Sequence, residues 1–134
     1  MVTLTVVTTV QTELVDITSL VVDAVARCGL RHGAVIVFVP HTTAGVTINE
    51  NTDPSVRADL LLALDRAVPR SLPFRHAEGN SDAHVKASLM GSSVIVPVHD
   101  GTLHLGTWQG VYFAEFDGPR RRRVVLTPLA APGS

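Results

Sequence analysis

Cysteine and long apolar runs are both scarce in this chain of 134 residues. Cys28 is the only cysteine, which excludes an internal disulfide and a zinc site built from several thiolates. No apolar run approaches the roughly 20 residues that span a bilayer, so no membrane partner is expected. Met1 is followed by VTLTVV, without the basic region or cleavage site of a signal peptide, and the expected location is the cytoplasm.

Lysine is also nearly absent, because Lys86 is the only lysine among 11 basic residues. The arginine fork suits phosphate and carboxylate groups, although a genome rich in G and C would produce the same bias. The net charge of −1 argues against a nucleic-acid partner. The length and the hydrophobic content of 46% favour a single domain over residues 1–134 with one hydrophobic core.

Strand-forming segments alternate with three predicted helices, which indicates an α+β fold. Strands are predicted over 2–10, 33–39, 43–49, 92–98, 106–116 and 121–129. The strand 33–39 is apolar on both faces, which is typical of a strand covered on both sides. The first helix is predicted to run from an Asp16 or Thr18 cap to about Cys28, with Gly29 as its stop. The second is predicted to begin at Pro54 with Asp53 as its N-cap and to end before Pro69, and the third to cover 81–90.

The segment EGNSDAHVKA places polar side chains at the start of the third predicted helix. Ser81 is a good N-cap, which would put Asp82 and His84 in the first helical turn. Free backbone N–H groups and the positive end of the helix dipole meet there and form a ready anion site. Ordinary helix capping, with His84 on the surface, would give the same pattern.

The six histidines divide by their surroundings. His41 ends a predicted buried strand, and His76 and His84 lie on a loop and on the helix that follows it. Three histidines bind zinc if they converge in space, but this spacing matches no tight ligand motif. The remaining three lie beside turns and are expected to be solvated: His32, His99 and His104.

Two further segments allow either a structural or a functional interpretation. In GTWQG, Trp108 is expected to be a core anchor and Gln109 a polar liner, although a lone indole also stacks on flat ligands. The arginines at 120–123 alternate between the faces of a strand, so they do not form one patch. Two of them are expected to pair with acids such as Glu115 and Asp117; the alternative is that one face reaches a phosphate.

Long blocks of the chain together resemble the YjbQ-type family, whose members are commonly described as secondary thiamine-phosphate synthase enzymes. The blocks are PHTTAGVTINEN, RHAEGNSDAHVKASLMGSS and GTWQGVYFAEFDGPRRRR, and the match runs from about Gly33 to Thr127. The resemblance implies a compact α+β domain with a β-sandwich-like sheet of mixed or antiparallel strands, usually as a homotrimer. It also implies a polar cleft, within one chain or between subunits, with the stretch 40–54 along one side.

The resemblance implies roles for the polar residues of these blocks. The expected catalytic residues are His41, His84, Asp82 and Glu50. The expected substrate- or phosphate-binding residues are Thr42, Thr43, Asn49, Asn51, Arg75, Gly79, Asn80 and Gln109. A divalent metal is expected as cofactor: Zn²⁺ on His41, His76 and His84, or Mg²⁺ on oxygen ligands from Asp82, Glu50 or Glu78.

The reaction associated with the family joins a pyrimidine methyl diphosphate to a thiazole phosphate and releases diphosphate. The nucleophile is a ring nitrogen with a free lone pair, so catalysis requires positioning and leaving-group stabilisation, not a strong base. A small phosphorylated metabolite is therefore the expected partner. Two alternatives remain open: a zinc-dependent hydrolase of a small phosphorylated or ester substrate, and a non-catalytic trimer that binds a metal or a phosphorylated metabolite.

Overall fold

The computed structural model describes residues 1–133, which form three helices and two antiparallel sheets. The helices are α1 (Thr18–Cys28), α2 (Pro54–Ala67) and α3 (Ser81–Met90). The strands are β1 (Val2–Val7), β2 (Glu13–Asp16), β3 (Gly33–Phe38), β4 (Ala44–Glu50), β5 (Ser93–His99), β6 (Thr102–Leu103), β7 (Gln109–Glu115) and β8 (Arg121–Ala130). Every strand pair is antiparallel, so the expected α+β class is confirmed without any parallel pairing.

The main hydrophobic core lies between the two sheets. The larger sheet has the order β1-β8-β3-β5-β6, and the smaller sheet has the order β2-β7-β4. Alternate residues of the strands point inward, as Val35 and Val37 do on β3, and both are fully buried. They share one cluster with residues of the smaller sheet and of α1: Val21, Val25, Val46, Val111 and Phe113. Helix α1 therefore closes the space between the sheets.

A second apolar cluster holds α2 and α3 against the smaller sheet. Ala83 and Ala87 of α3 share this cluster with Tyr112 and Phe116, which are buried. The side chains that α2 contributes are only partly buried: Leu60, Leu61 and Leu64. Helix α2 thus makes the looser layer of the molecule, and α3 lies closer to the sheet.

The end of α3 lies directly on β4. A Cβ atom added at Gly45 would lie 2.5 Å from the carbonyl oxygen of Gly91, which is closer than carbon and oxygen can approach. The amide of Val46 donates to the same oxygen at 3.1 Å. Because Gly45 allows this contact, α3 is held beside the segment 40–43 that enters β4.

The observed N-cap residue is the predicted one for α2 and differs from the prediction for α1 and α3. Asp53 caps α2 and accepts from the Ser55 amide at 2.9 Å, as predicted. Helix α1 has Ile17 as its N-cap, in place of the predicted Asp16 or Thr18. Helix α3 has Asn80 as its N-cap, in place of Ser81, so Asp82 and His84 lie one position further into the helix.

Two sequence-based expectations about burial are wrong, and the short strands β2 and β6 were not predicted. Phe38 and Ile95 are 42% and 62% exposed, so β3 is not covered on both sides, because α2 and α3 pack on the other sheet. Trp108 is 60% exposed and is not a core anchor, since it lies in the turn before β7. Strand β2 was not predicted because it is short and carries two acidic residues.

No helix within residues 1–133 is both long enough and apolar enough to cross a membrane.

Candidate functional site

A polar cleft of about 460 Å³ opens where the segment 40–43, the first turn of α3 and the start of β8 meet. We call it the histidine cleft; its polar lining residues are His41, Thr42, Thr43, His76, Glu78, Asn80, His84, Asp117, Arg120 and Arg122. A second cavity of about 460 Å³ shares His41 and His84 with it and extends along α3 to Ser88 and Ser92. The two cavities adjoin, so the histidine cleft has room for more than one small ligand.

A buried ion pair between Arg122 and Glu115 lies at the base of the histidine cleft. Arg122 Nε donates to Glu115 Oε1 at 2.9 Å, and Arg122 Nη2 donates to Glu115 Oε2 and, at 2.9 Å, to Thr43 Oγ1. Burial raises the pKa of Glu115, but hydrogen bonds from Arg122, Thr8 and the Asp117 amide outweigh burial and hold this pKa below its ordinary value. Glu115 is therefore an ionised anchor for Arg122.

Asp117 plays a similar part for Asn80 and Arg120. Its Oδ2 accepts from Asn80 Nδ2 at 2.9 Å and from Arg120 Nη2 at 3.0 Å. Burial raises the pKa of Asp117, while these hydrogen bonds lower it, and the net pKa lies below its ordinary value. Asn80 is buried, and its Oδ1 has no hydrogen-bond partner among residues 1–133. Among the buried side-chain acceptors of residues 1–133 that line the cleft, Asn80 Oδ1 is the one without a hydrogen-bond partner.

His41 is a neutral hydrogen-bond donor in this setting. Burial lowers its pKa, and the nearby charges of Arg122 and Arg123 lower it further. Its Nε2 accepts from the Arg123 amide at 2.9 Å, so this nitrogen carries no proton. The proton of the neutral ring is then on Nδ1, which makes Nδ1 the atom able to donate to a ligand.

His76 and His84 also line the histidine cleft and contact each other. Their rings lie edge to face with centroids 5.4 Å apart. His76 Nε2 also lies 3.8 Å from Glu78 Oε2, at the exposed rim. His84 lines both cavities, so a ligand that spans them passes this side chain.

Asp82 does not face the histidine cleft. It is buried, and its Oδ2 accepts from Lys86 Nζ at 3.2 Å, while Lys86 also donates to Asp65 of α2 at 2.7 Å. Arg70 Nε lies 3.8 Å from the other carboxylate oxygen. Asp82 therefore joins α3 to α2. The structure does not place it in a common site with His41, as the sequence had predicted.

A second group of predicted site residues lies at the other end of the smaller sheet. Glu50 is opposite Gln109 and Asn49 is opposite Gly110, whereas Ala44, next to the cleft, is opposite Glu115. The Asn51 amide donates to Trp108 at the same end. The six residue steps along β4 correspond to about 20 Å. Within one chain, Glu50, Asn49, Asn51 and Gln109 are thus separated from the three histidines.

Two loop residues complete the predicted set. Gly79 has a φ of +75°, which is the left-handed conformation expected before α3. Arg75 is exposed on the preceding loop and is not among the residues that line the histidine cleft. Gly79 therefore positions Asn80, while Arg75 stays outside.

Comparison with known proteins identifies the group to which this chain belongs. The family model described as "UPF0047 protein YjbQ-like" matches residues 2–131. The chain is a member of the UPF0047 YjbQ-like family. A UPF0047 protein of Methanocaldococcus jannaschii is 54% identical over 110 residues, which cover 82% of this chain and 80% of that relative. YugU of Bacillus subtilis, another UPF0047 protein, is 50% identical over 121 residues, which cover 90% and 92%.

Solved structures agree with the fold described above. An uncharacterised YjbQ/UPF0047 family protein of Clostridium acetobutylicum is 50% identical, with a TM-score of 0.94, and the match covers 96% of this chain and 100% of that one. A hypothetical protein of Aeropyrum pernix is 35% identical, with a TM-score of 0.92 over 97% and 98% of the two chains. The resemblance to the YjbQ-type family is confirmed, and the names of these relatives describe no activity.

The sequence predicts that two of the arginines at 120–123 pair mainly with acids, and two of these arginines reach the histidine cleft of this YjbQ-like chain. Arg120 and Arg122 pair with Asp117 and Glu115 as predicted, and both also line the cleft. The available signal was their spacing of two, which puts both side chains on one face of a strand. Ser88 and Ser92 of the adjoining cavity were missed, because small hydroxyl residues near a helix end carry no distinct signal.

The residues of this YjbQ-like site fit the two predicted metals differently. Among residues 1–133, no group of three or more His, Cys, Asp or Glu side chains is already arranged to hold an ion. His41 uses Nε2 to accept the Arg123 amide, and binding zinc through Nδ1 would leave two donors facing each other. Glu78 lines the cleft with an exposed carboxylate, an oxygen ligand of the kind that Mg²⁺ prefers.

Proposed function

We propose that the histidine cleft binds the phosphate groups of a small metabolite, and that the protein is a thiamine-phosphate synthase-like transferase. The observation that carries the proposal is the arrangement of Arg122. Glu115 and Thr43 hold its Nε and Nη2, while Nη1 makes no hydrogen bond with residues 1–133 and Arg122 lines the cleft beside neutral His41. A guanidinium fixed on two sides and free on the third is pre-organised to bind an oxyanion.

The other donors around Arg122 support a phosphate ligand. His41 offers the proton on Nδ1, and the first turn of α3 supplies backbone N–H groups near Asn80. His84 adds a further donor that lines the cleft. Because the carboxylates of Glu115 and Asp117 are consumed by internal pairs, they oppose an incoming anion less than free acids would.

The balance of donors over bases favours transfer with loss of diphosphate over hydrolysis. Departure of diphosphate from a pyrimidine methyl group requires stabilisation of charge on the leaving oxygens, which fixed donors provide. The attacking thiazole nitrogen already has a lone pair, so no base is needed to activate it. Glu115 and Asp117, with pKa values below ordinary, are poor bases for activating water.

The two adjoining cavities support a reaction of two substrates. We assign the diphosphate to the part lined by His41, His84 and Arg122, and the thiazole phosphate to the part that ends at Ser88 and Ser92. His84 lies in both parts and would be near the bond that forms. Holding both substrates in one cleft supplies the proximity on which such a reaction depends.

We propose Mg²⁺ as the metal, entering with the diphosphate and held by Glu78. When bound, Mg²⁺ neutralises charge on the diphosphate oxygens. Arg122 and His84 would position the complex of Mg²⁺ and diphosphate in the cleft. Zinc on His41, His76 and His84 is the less favoured choice, because the Arg123 amide occupies His41 Nε2.

The predicted site residues at the other end of the smaller sheet would reach a histidine cleft only in an assembly of subunits. The family resemblance implies a homotrimer. We propose that this trimer is cytoplasmic and that Glu50, Asn49, Asn51 and Gln109 of one subunit approach the histidine cleft of the next. The exposed Trp108 beside this group supports an interface there. A monomer in light scattering would remove this placement.

The direct test is product formation by the purified protein with synthetic pyrimidine methyl diphosphate, thiazole phosphate and Mg²⁺. The proposal predicts thiamine phosphate and diphosphate in equal amounts, and no diphosphate release when the thiazole phosphate is left out. Phosphate release without the thiazole phosphate would indicate a hydrolase instead. Tight binding of either substrate without turnover would indicate a binding protein.

A further inference from the structure

The longest connection between two elements of the described chain is the segment 68–80, which joins α2 to α3. It exceeds the roughly 2–8 residues that usually join two packed helices, and long irregular connections are commonly functional. We call residues 70–79 the cleft loop; all of them are exposed to solvent. The end of this loop reaches the histidine cleft, because His76 and Glu78 line that cleft. An exposed loop therefore forms one rim of the proposed site.

The cleft loop is weakly attached to the rest of the molecule. Its three backbone hydrogen bonds all stay between residues 69 and 79, and two of them are long, at 3.4 Å. Within residues 1–133, the ion pair that joins the loop to a helix is the one between Arg70 Nε and Asp82 Oδ1, at 3.8 Å. Exposed segments with few contacts open at a low cost in free energy. The cleft loop can thus change position while α2 and α3 stay packed.

Gly79 is suited to be the hinge of such a movement. Its φ of +75° is left-handed, and no atom lies within 4 Å of the place that a Cβ would occupy. A glycine in open space changes its dihedral angles without a clash. The next residue, Asn80, is buried and bonded to Asp117, so the movement would end at Gly79 and leave the start of α3 in place.

The cleft loop carries side chains that lack partners in this open position. Leu72 and Phe74 are large and apolar, yet they are 45% and 37% exposed. Arg75 is exposed as well, and the ion pairs of the loop within residues 1–133 do not include it. It directly precedes His76, and consecutive Cα atoms are about 3.8 Å apart, so the backbone of Arg75 lies at the rim of the cleft.

We propose that the cleft loop is a lid that closes over the histidine cleft when a phosphorylated ligand binds. Closure brings the Arg75 guanidinium toward the negative charge of the ligand and covers part of Leu72 and Phe74. Both changes favour the closed position, and the first of them requires the bound anion. The inference rests on the proposed function, because the charge of the phosphate groups is what draws the loop inward.

A closed lid also accounts for transfer in preference to hydrolysis. Closure of a loop over a site excludes water while the reacting groups are held together. In the proposed reaction the bond between the methyl carbon and the diphosphate oxygen breaks, and the bond from the thiazole nitrogen to that carbon forms. With water excluded, the thiazole nitrogen is the nucleophile beside that carbon.

The test is limited trypsin digestion of the full chain, with and without saturating inorganic diphosphate and Mg²⁺. Trypsin cleaves after arginine, and the cleft loop offers two such bonds, Arg70–Ser71 and Arg75–His76. We expect both bonds to be cut rapidly in the free protein and about tenfold more slowly with the ligand, as the open population falls. The Arg31–His32 bond is the internal control, because Arg31 is exposed and lies outside the cleft, so its cleavage rate should not change.

The pattern of protection separates closure from simpler effects. Protection of the Arg75–His76 bond alone would mean that the ligand masks the rim without closure, and this result would overturn the lid. Equal slowing at all three bonds would reflect general stabilisation by the ligand and would overturn it too. Slow cleavage of both loop bonds without ligand would mean that the loop is already covered, for example by a second copy of the chain, which also contradicts a lid.

Calorimetric titration of the same protein with diphosphate and Mg²⁺ distinguishes failure of the lid from failure of the proposed function. Binding without protection of the loop would overturn the lid and leave phosphate binding intact, whereas no binding would overturn both. Arg75→Gln is expected to weaken binding about tenfold, because one charged hydrogen-bond donor is lost. Arg66→Gln, in the exposed last turn of α2, is the matched control and should bind as wild type does. Equal affinities of Arg75→Gln and wild type would contradict the closed position.

Discussion

Replacement of Arg122 by leucine is expected to lower the free energy of unfolding by about 3–5 kcal/mol, the usual range for breaking a buried ion pair. The variant leaves the Glu115 carboxylate fully buried without its cationic partner. Thr8 and the Asp117 amide still donate to Glu115, so the lower end of that range is expected. Thr43 Oγ1 also loses its donor. Urea denaturation at neutral pH measures the loss.

The neighbouring Arg121→Leu variant is the matched control. Arg121 belongs to the same strand but is exposed, so its replacement is expected to change stability by about 0.5 kcal/mol or less. The double variant Arg122→Leu/Glu115→Leu removes both charges and is expected to regain part of the loss. Equal losses for Arg121→Leu and Arg122→Leu would contradict the buried-pair account.

The same pair sets a direction for the pH dependence of stability. The pKa of Glu115 is lower in the folded chain than its ordinary value, so the folded state favours the ionised form. The contribution of ionised Glu115 to the free energy of unfolding is complete above the ordinary glutamate pKa of about 4.3. It is lost as the pH falls through the lower pKa of the folded state. Below pH 4.3 the stability of wild type should therefore fall more steeply than that of Arg122→Leu.

Replacement of His84 by alanine is expected to lower kcat for thiamine phosphate formation about 100-fold, the usual cost of losing one fixed donor to a developing oxyanion. His84 and His41 both line the two cavities. If it stabilises the leaving diphosphate, its loss should act mainly on kcat and less on KM. Steady-state kinetics with both substrates and Mg²⁺ separate the two constants.

His104→Ala is the control for this experiment. His104 is exposed and lies outside the histidine cleft, so its replacement should leave kcat and KM unchanged. Circular dichroism should show that both variants fold, because neither histidine belongs to an apolar cluster. Equal rates for wild type and His84→Ala would show that the reaction does not take place in this cleft.

Local sequence signals predicted the parts of the fold that local physics determines. Asp53 followed by Pro54 marked the start of α2, and Gly29, with its positive φ, marked the end of α1. The convergence of His41 with His84 followed from two polar blocks that the family resemblance had joined. The sequence predicted that two of the arginines at 120–123 pair with acids such as Glu115 and Asp117 across a hairpin, but it did not predict which arginine pairs with which acid or that the Arg122–Glu115 pair is buried.

The errors arose where tertiary packing decides the outcome. The apolar outer face of β3 is exposed because the helices pack elsewhere, a choice that strand composition does not encode. Glu50 and His41 are close in sequence, yet β4 lies between them and places them at opposite ends of the smaller sheet. Asp82 looked like a free acid at a helix start, but Lys86, one turn later, turns it toward α2.

The central claim is that the histidine cleft binds phosphate groups, and the six histidines allow one measurement to test it. Inorganic diphosphate with Mg²⁺ would be titrated into the protein while NMR follows the imidazole signals of all six rings. The account predicts saturable shifts for His41, His76 and His84, with His32, His99 and His104 unchanged. Shifts confined to the second set, or no saturable shift in the first, would contradict it.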